Sequence, residues 1–227
     1  MVTGSQSSEL LRWIPLLPLF GAVLHGVLLG LFRRPLPRMA VVTVSCGTVI
    51  LAFLASVAAF AELLAQPPES RVLVDELYSW IGAGRFHAEA SLLLDPLSAV
   101  MILVVTGVGA LIHVYSIGYM DDDHRDDRGF QRFFCYLNLF TFSMLMLVLG
   151  DNLLVLFLGW EGVGLCSYLL IGFWYADEWN AYCGSKAFLV NRIGDFAFLL
   201  GIFVLFAALA DAGHPTVAFR EIAVHLG

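Results

Sequence analysis

The sequence predicts an all-α, polytopic membrane protein of about six transmembrane helices, and three observations carry that prediction. Hydrophobic residues make up 59% of the 227 positions and charged residues only 14%, a mix far from that of a soluble domain. Uncharged or nearly uncharged runs recur along the chain, long enough as helix to cross a hydrocarbon core of about 30 Å. None of them shows the polar face of a soluble amphipathic helix.

The spans follow in order. Residues 13–32 and 39–61 carry no charge, and 96–120 carry only His113 as a titratable group. Residues 133–150 are again free of charge, 152–176 contain Glu161, and 187–210 contain Arg192 and Asp195. The first run is too long for the apolar core of a signal peptide, and no small-residue cleavage site follows it. Asp95 before Pro96 reads as an N-cap with proline at the first helical position. The one long connection, 66–95, alternates loosely through Val72, Val74, Leu77, Tyr78 and Trp80 and turns at Gly82 to Gly84. It is either a small β-hairpin on the outer surface or an irregular amphipathic loop with Trp80 at the interface.

Basic residues set the orientation. Arg33, Arg34 and Arg38 follow the first span, Arg125, Arg128 and Arg132 the third, and Lys186 and Arg192 lie before or just inside the sixth. Those eight share one side; Arg12, Arg71, Arg85 and Arg220 lie on the other. The expectation is a multi-pass membrane protein with both termini outside.

Composition also removes several function classes. The net charge of −7 is no acidic docking surface, because the acids scatter through the connections. No basic stripe with stacking aromatics indicates nucleic acid. Cys46, Cys135, Cys166 and Cys183 have no spacing that points to a disulfide framework, a zinc site or an iron–sulfur cluster. No phosphate-binding glycine motif is present. The expectation is therefore no catalytic, cofactor-binding or metal-ligating residue in this chain.

What remains are charges where charges are costly. A carboxylate at mid-membrane costs about 3 kcal/mol on insertion scales and normally faces a partner or a water-filled path. Glu161, flanked by Gly159, Gly162 and Gly164, is either a neutral hydrogen-bonded glutamate or a protonation site answering to a nearby cation. Arg192 and Asp195 are three residues apart and either neutralise each other locally or join Glu161 in lining a half-channel. Lys186 either snorkels to the interface or belongs to the same path. His113 is either packed and neutral or a proton relay; His25 reads as packed. The candidate proton path is Glu161, Lys186, Arg192, Asp195 and His113.

Several runs resemble one family. LGWEGVGLCSYLLIGF at 158–173, KAF at 186–188 with NRIGD at 191–195, LDPLS at 94–98 and HVYSIGYM at 113–120 look like the antiporter-like subunits of proton-pumping complex I, in particular bacterial NADH:quinone oxidoreductase subunit L. The family's relatives include subunits of multi-subunit cation/proton antiporters, membrane-bound hydrogenases and inorganic-carbon uptake systems. The resemblance implies residues 1–64 as the first two helices, 65–125 as the family's N-terminal region, and 126–227 as the start of the antiporter-like domain, which stops short. It implies a non-redox subunit of a proton-translocating enzyme, with NADH, flavin, iron–sulfur clusters and quinone on other subunits. Its partners would be other membrane-arm subunits, the lipid bilayer and protons. In the family the glutamate matching Glu161 pairs with a lysine on the following helix, which would lie beyond Gly227. The alternatives are a related cation/proton antiporter or inorganic-carbon subunit, or a truncated chain that packs without transporting. On this reading the 227 residues alone should not pump protons.

Overall fold

The computed structural model describes residues 6–32, 35–121 and 127–226. Six long helices dominate: α1 (Leu10–Gly30), α2 (Arg38–Leu64), α3 (Pro96–Tyr119), α4 (Asp127–Leu149), α5 (Leu153–Ile171) and α6 (Glu178–Asp211). All six are long and apolar enough to cross a membrane. A short α7 (Phe219–Leu226) follows.

The long connection folds as a hairpin. Strand β2 (Leu73–Ala83) pairs antiparallel with β3 (Phe86–Leu94) from Leu73↔Leu94 to Ala83↔Phe86. Its two-residue turn uses Gly84 at φ +60°, a conformation that costs a glycine little. A third strand, β1 (Gln6–Ser7), adds in parallel to the start of β2. Two residues of strand beside a helix leave no periodicity to read, so the sequence pattern did not announce it.

The hairpin collects the ends of distant helices. Gly150, between α4 and α5, bridges to Leu92, and Asn152 bridges to Ala218. Asn152 caps α5 by accepting from the amides of Leu154 and Val155, while its Nδ2 donates to the Glu89 carbonyl at 2.6 Å. The buried Asp151 receives a bidentate fork from Arg220 at 2.6–3.2 Å and a bond from the Ser91 hydroxyl. That carboxylate holds the guanidinium charged above its ordinary range. At the same end Arg12 makes a fork to the buried Asp75 at 2.7 and 2.9 Å. The N-terminal strand, the hairpin, the α4–α5 corner and the segment after α6 therefore share one end of the bundle, as an even number of crossings requires. As expected, Asp95 caps α3, in a reciprocal capping box with Ser98.

Two apolar clusters frame the bundle. Near the hairpin, Leu11, Ile14, Leu63, Leu73, Leu92, Leu94, Ile102 and Leu149 pack together. At the opposite end Val41, Met120, Phe130, Phe134 and Phe173 do so. Polar groups are buried among α1, α2 and α4 as well: His25 with Ser45 at 2.8 Å, and Thr48 donating to Asn138 Oδ1 at 3.0 Å. In a bilayer such groups must find partners inside the protein.

The sixth helix differs from its expected bounds. Asp177 caps it by accepting from the Trp179 amide, so it starts at Glu178, nine residues before the apolar run 187–210. Its 34 residues span about 51 Å at 1.5 Å per residue, more than a hydrocarbon core. Lys186 thus lies two turns inside a helix instead of closing a loop. Arg128 and Arg132 likewise lie in the first turns of α4. Arg33, Arg34 and Arg125, counted for orientation, fall outside the described residues.

Candidate functional site

Depth comes first. Asn152 fixes the start of α5 against the hairpin, and Glu161 lies nine residues further, about 14 Å along the axis. With the cap at the membrane surface, that is the middle of a core about 30 Å thick. The side chain is 22% exposed.

Close approach of α4 and α5 is written in small residues. A Cβ on Gly159 would stand 2.6 Å from Leu147 Cα, and one on Gly162 would stand 2.5 Å from Ser143 Oγ. Both glycines therefore admit α4. Gly184 plays the same part lower on α6, where a Cβ would sit 3.2 Å from the Tyr168 carbonyl and the Gly172 amide.

The charges meet between α5 and α6. Arg192 Nη1 donates to Glu161 Oε1 at 2.5 Å, an ion pair between helices 31 residues apart in sequence. The local pair is looser: Arg192 Nε stands 4.0 Å from Asp195 Oδ2. Asp195, whose side chain is 8% exposed, takes its hydrogen bond from the Trp160 indole Nε1 at 2.7 Å. Arg192 also lies over the Phe188 ring, 4.9 Å from its centroid, a cation–π contact. The guanidinium is 48% exposed on the flank of the bundle.

The other two candidates lie apart. Lys186 is exposed nearer the N-terminal end of α6, its Nζ 6.0 Å from the Tyr182 ring. His113 is fully buried; its Nδ1 donates to the Gly109 carbonyl one turn back at 2.8 Å, and its ring lies 6.3 Å from that of Phe134. That bond leaves Nε2 as the acceptor, with no partner among the described residues. The structure therefore brings together three of the five residues, Glu161, Arg192 and Asp195. It adds Trp160, which sequence reasoning missed, because an indole inside an apolar run raises no alarm. Among the described residues no group of three or more His, Cys, Asp or Glu is placed to hold a metal ion.

Chemically, this is one cation shared unequally between two carboxylates at mid-membrane, with a neutral donor on the second. Such a set can hold, exchange and release a proton. Known proteins match the same segments. Residues 80–134 match the N-terminal family of NADH-ubiquinone oxidoreductase (complex I) chain 5, and residues 150–225 match the transmembrane family of NADH:quinone oxidoreductase and Mrp antiporters. The chain belongs to the antiporter-like subunit family of complex I. Within that family it is 46% identical over 191 residues to the NADH-quinone oxidoreductase subunit L of Pseudomonas aeruginosa, covering 84% of this chain and 30% of that protein. It is 44% identical over 222 residues to the NAD(P)H-quinone oxidoreductase subunit 5 of the Paulinella chromatophora chromatophore, covering 95% and 31%. The chain thus spans about a third of the length of the curated relatives it matches. Its fold is similar to the solved Mrp complex from Dietzia, with a TM-score of 0.66 and 25% identity over 90% of this chain and 20% of that one. Glu161, Arg192, Asp195 and Trp160 all lie within the second matched segment.

Proposed function

We propose that this chain is part of a membrane-arm subunit of a proton-pumping NADH:quinone oxidoreductase, and that Glu161 is a station on its proton path. The observation that carries this is the Arg192–Glu161 ion pair, held between α5 and α6 at mid-membrane. Maintaining charges at that depth costs several kcal/mol, and a structural contact between two apolar helices needs none of it. An ion pair that opens and closes gives the carboxylate two proton affinities, which is what gated transfer requires. Arg192 and Asp195 would form the approach to Glu161 on α6. Lys186 and His113 would serve as outlying stations, since neither makes a described contact with the pair. The sequence likeness of 46% and 44% to quinone oxidoreductase subunits favours that assignment over a cation/proton antiporter subunit.

The energy would come from quinone reduction on other subunits, which would also hold NADH, flavin and iron–sulfur clusters. The partners would be other membrane-arm subunits and lipid. The membrane would be the bacterial inner membrane, with the hairpin and both described ends outside. Residues 1–64 would supply the first two helices, 65–125 the family's N-terminal region and 126–227 the start of the proton-translocation domain. The test is Glu161→Gln in the assembled complex, which keeps volume and hydrogen bonding but removes titration. Proton pumping should fall about a hundredfold or more, the low end of the loss attached to removing a positioned acid–base group, while assembly persists. Normal pumping by the assembled variant would sink the role.

A further inference from the structure

One guanidinium faces two carboxylates here, and something must decide between them. Asp195 is the better shielded of the two, 8% exposed against 22% for Glu161, and it lies on the same helix as Arg192, one turn away. Coulomb attraction strengthens as water is excluded, so a bare Asp195 would hold Arg192 at least as firmly as Glu161 does. Yet Arg192 stands 4.0 Å from Asp195 and 2.5 Å from Glu161. What distinguishes the two carboxylates is Trp160, whose indole N–H donates to Asp195 Oδ1 at 2.7 Å. That distance lies at the short, charge-assisted end of the range. An indole offers one donor and no acceptor, so it satisfies a carboxylate without competing for the guanidinium. The ring is set by contact with Phe198, one turn beyond Asp195, at 5.8 Å between centroids. A cavity of about 270 Å³, lined by Trp160, Asp195, Asn191, Gly194 and Ser167 among others, leaves the aspartate room to turn away.

We propose that Trp160 is a positioning residue that selects the partner of Arg192. With its N–H on Asp195, the guanidinium is left to Glu161. When that bond opens, Asp195 takes Arg192 and Glu161 is released. The selection itself stands on the geometry alone; only its consequence for pumping rests on the proton-path reading of Glu161.

The test uses the full-length protein in lipid, labelled with ¹⁵N at arginine, with the Arg192 side-chain signal assigned by its loss in Arg192→Gln. Glu161→Gln supplies the reference position for a guanidinium whose remaining carboxylate is Asp195. Trp160 is changed to phenylalanine and, separately, to the benzothienyl analogue, which keeps the ring shape and replaces the N–H by sulfur. Both changes should move the Arg192 signal toward its position in Glu161→Gln. In the assembled complex both should lower pumping about tenfold, as loss of one hydrogen bond to a charged group commands. Neither should lower it further in an Asp195→Asn background, because the two residues act as one unit. An Arg192 signal that stays at its wild-type position, or a benzothienyl variant that behaves as wild type, would overturn the selection. Normal pumping by Glu161→Gln would remove the proton-path role and leave the arginine signal to decide the rest.

Discussion

At the residue scale, burial and pairing rank the charges. Arg220 meets Asp151, whose side chain is 2% exposed, and also Glu76, which is 63% exposed. Removing the cation strands a buried carboxylate, which is costly, whereas an exposed ion pair contributes little. Arg220→Ala should therefore destabilise the protein by about 2 kcal/mol, read as a lower melting temperature in detergent. Glu76→Ala should leave it unchanged within about 0.5 kcal/mol. The sequence flagged Glu161, Arg192 and Asp195 because each interrupts an apolar run. It did not flag Asp151, since a charge at the edge of a span meets water and carries no visible penalty. Nor could it show that Arg192 would favour Glu161 over its neighbour Asp195, because that choice depends on which faces of two helices meet.

At the element scale, helix pairs are matched by small residues. A Cβ on Gly159 meets the backbone of Leu147, one on Gly162 meets the Ser143 hydroxyl, and one on Gly164 meets nothing within 4 Å. Backbone cannot yield, a serine side chain can rotate, and open space needs no response. Gly159→Ala should cost about 1–3 kcal/mol as α4 and α5 are forced apart, Gly162→Ala less, and Gly164→Ala almost nothing. Thermal unfolding of the three variants in detergent checks the order. Equal effects at 159 and 164 would show that the helices do not meet through this face. On the proposed proton path, Gly159→Ala would also reduce pumping, since α5 carries Glu161 to its partner. The glycines around Glu161 were legible in sequence; which of them actually faces α4 was not. The hairpin was half legible. Its alternation and its glycine turn allowed a strand pair, while β1 and the bridges to Gly150 and Ala218 join segments far apart in sequence.

At the scale of the whole molecule, six crossings put the ends on one side. The hairpin end gathers Arg12, Arg71, Arg85 and Arg220, and on the rule that cytoplasmic loops are richer in Lys and Arg that end would lie outside. Single cysteines at Ser79, exposed on β2, and Ala176, exposed before α6, in a background without the native cysteines, test this. In intact cells an impermeant thiol reagent should label Ser79→Cys at once and Ala176→Cys only after permeabilisation. The reverse pattern would invert the protein. The outer faces of α3 and α6 are apolar, with Leu111, Val114, Ile193, Phe196 and Val204 all more than half exposed, as surfaces facing lipid or neighbouring subunits are.

The number of spans, their order and the depth of Glu161 were determined by the sequence alone, because hydrocarbon penalises each charge and each unsatisfied backbone group locally, residue by residue. The partner of each buried charge was decided only in the tertiary structure. Pairing depends on rotation and separation of helices, and those are set by non-local contacts: the Gly159 and Gly162 approach to α4, the Asn152 and Asp151 anchors on the hairpin, and the Trp160 bond to α6. A linear pattern states the cost of a charge; three-dimensional packing states what meets it.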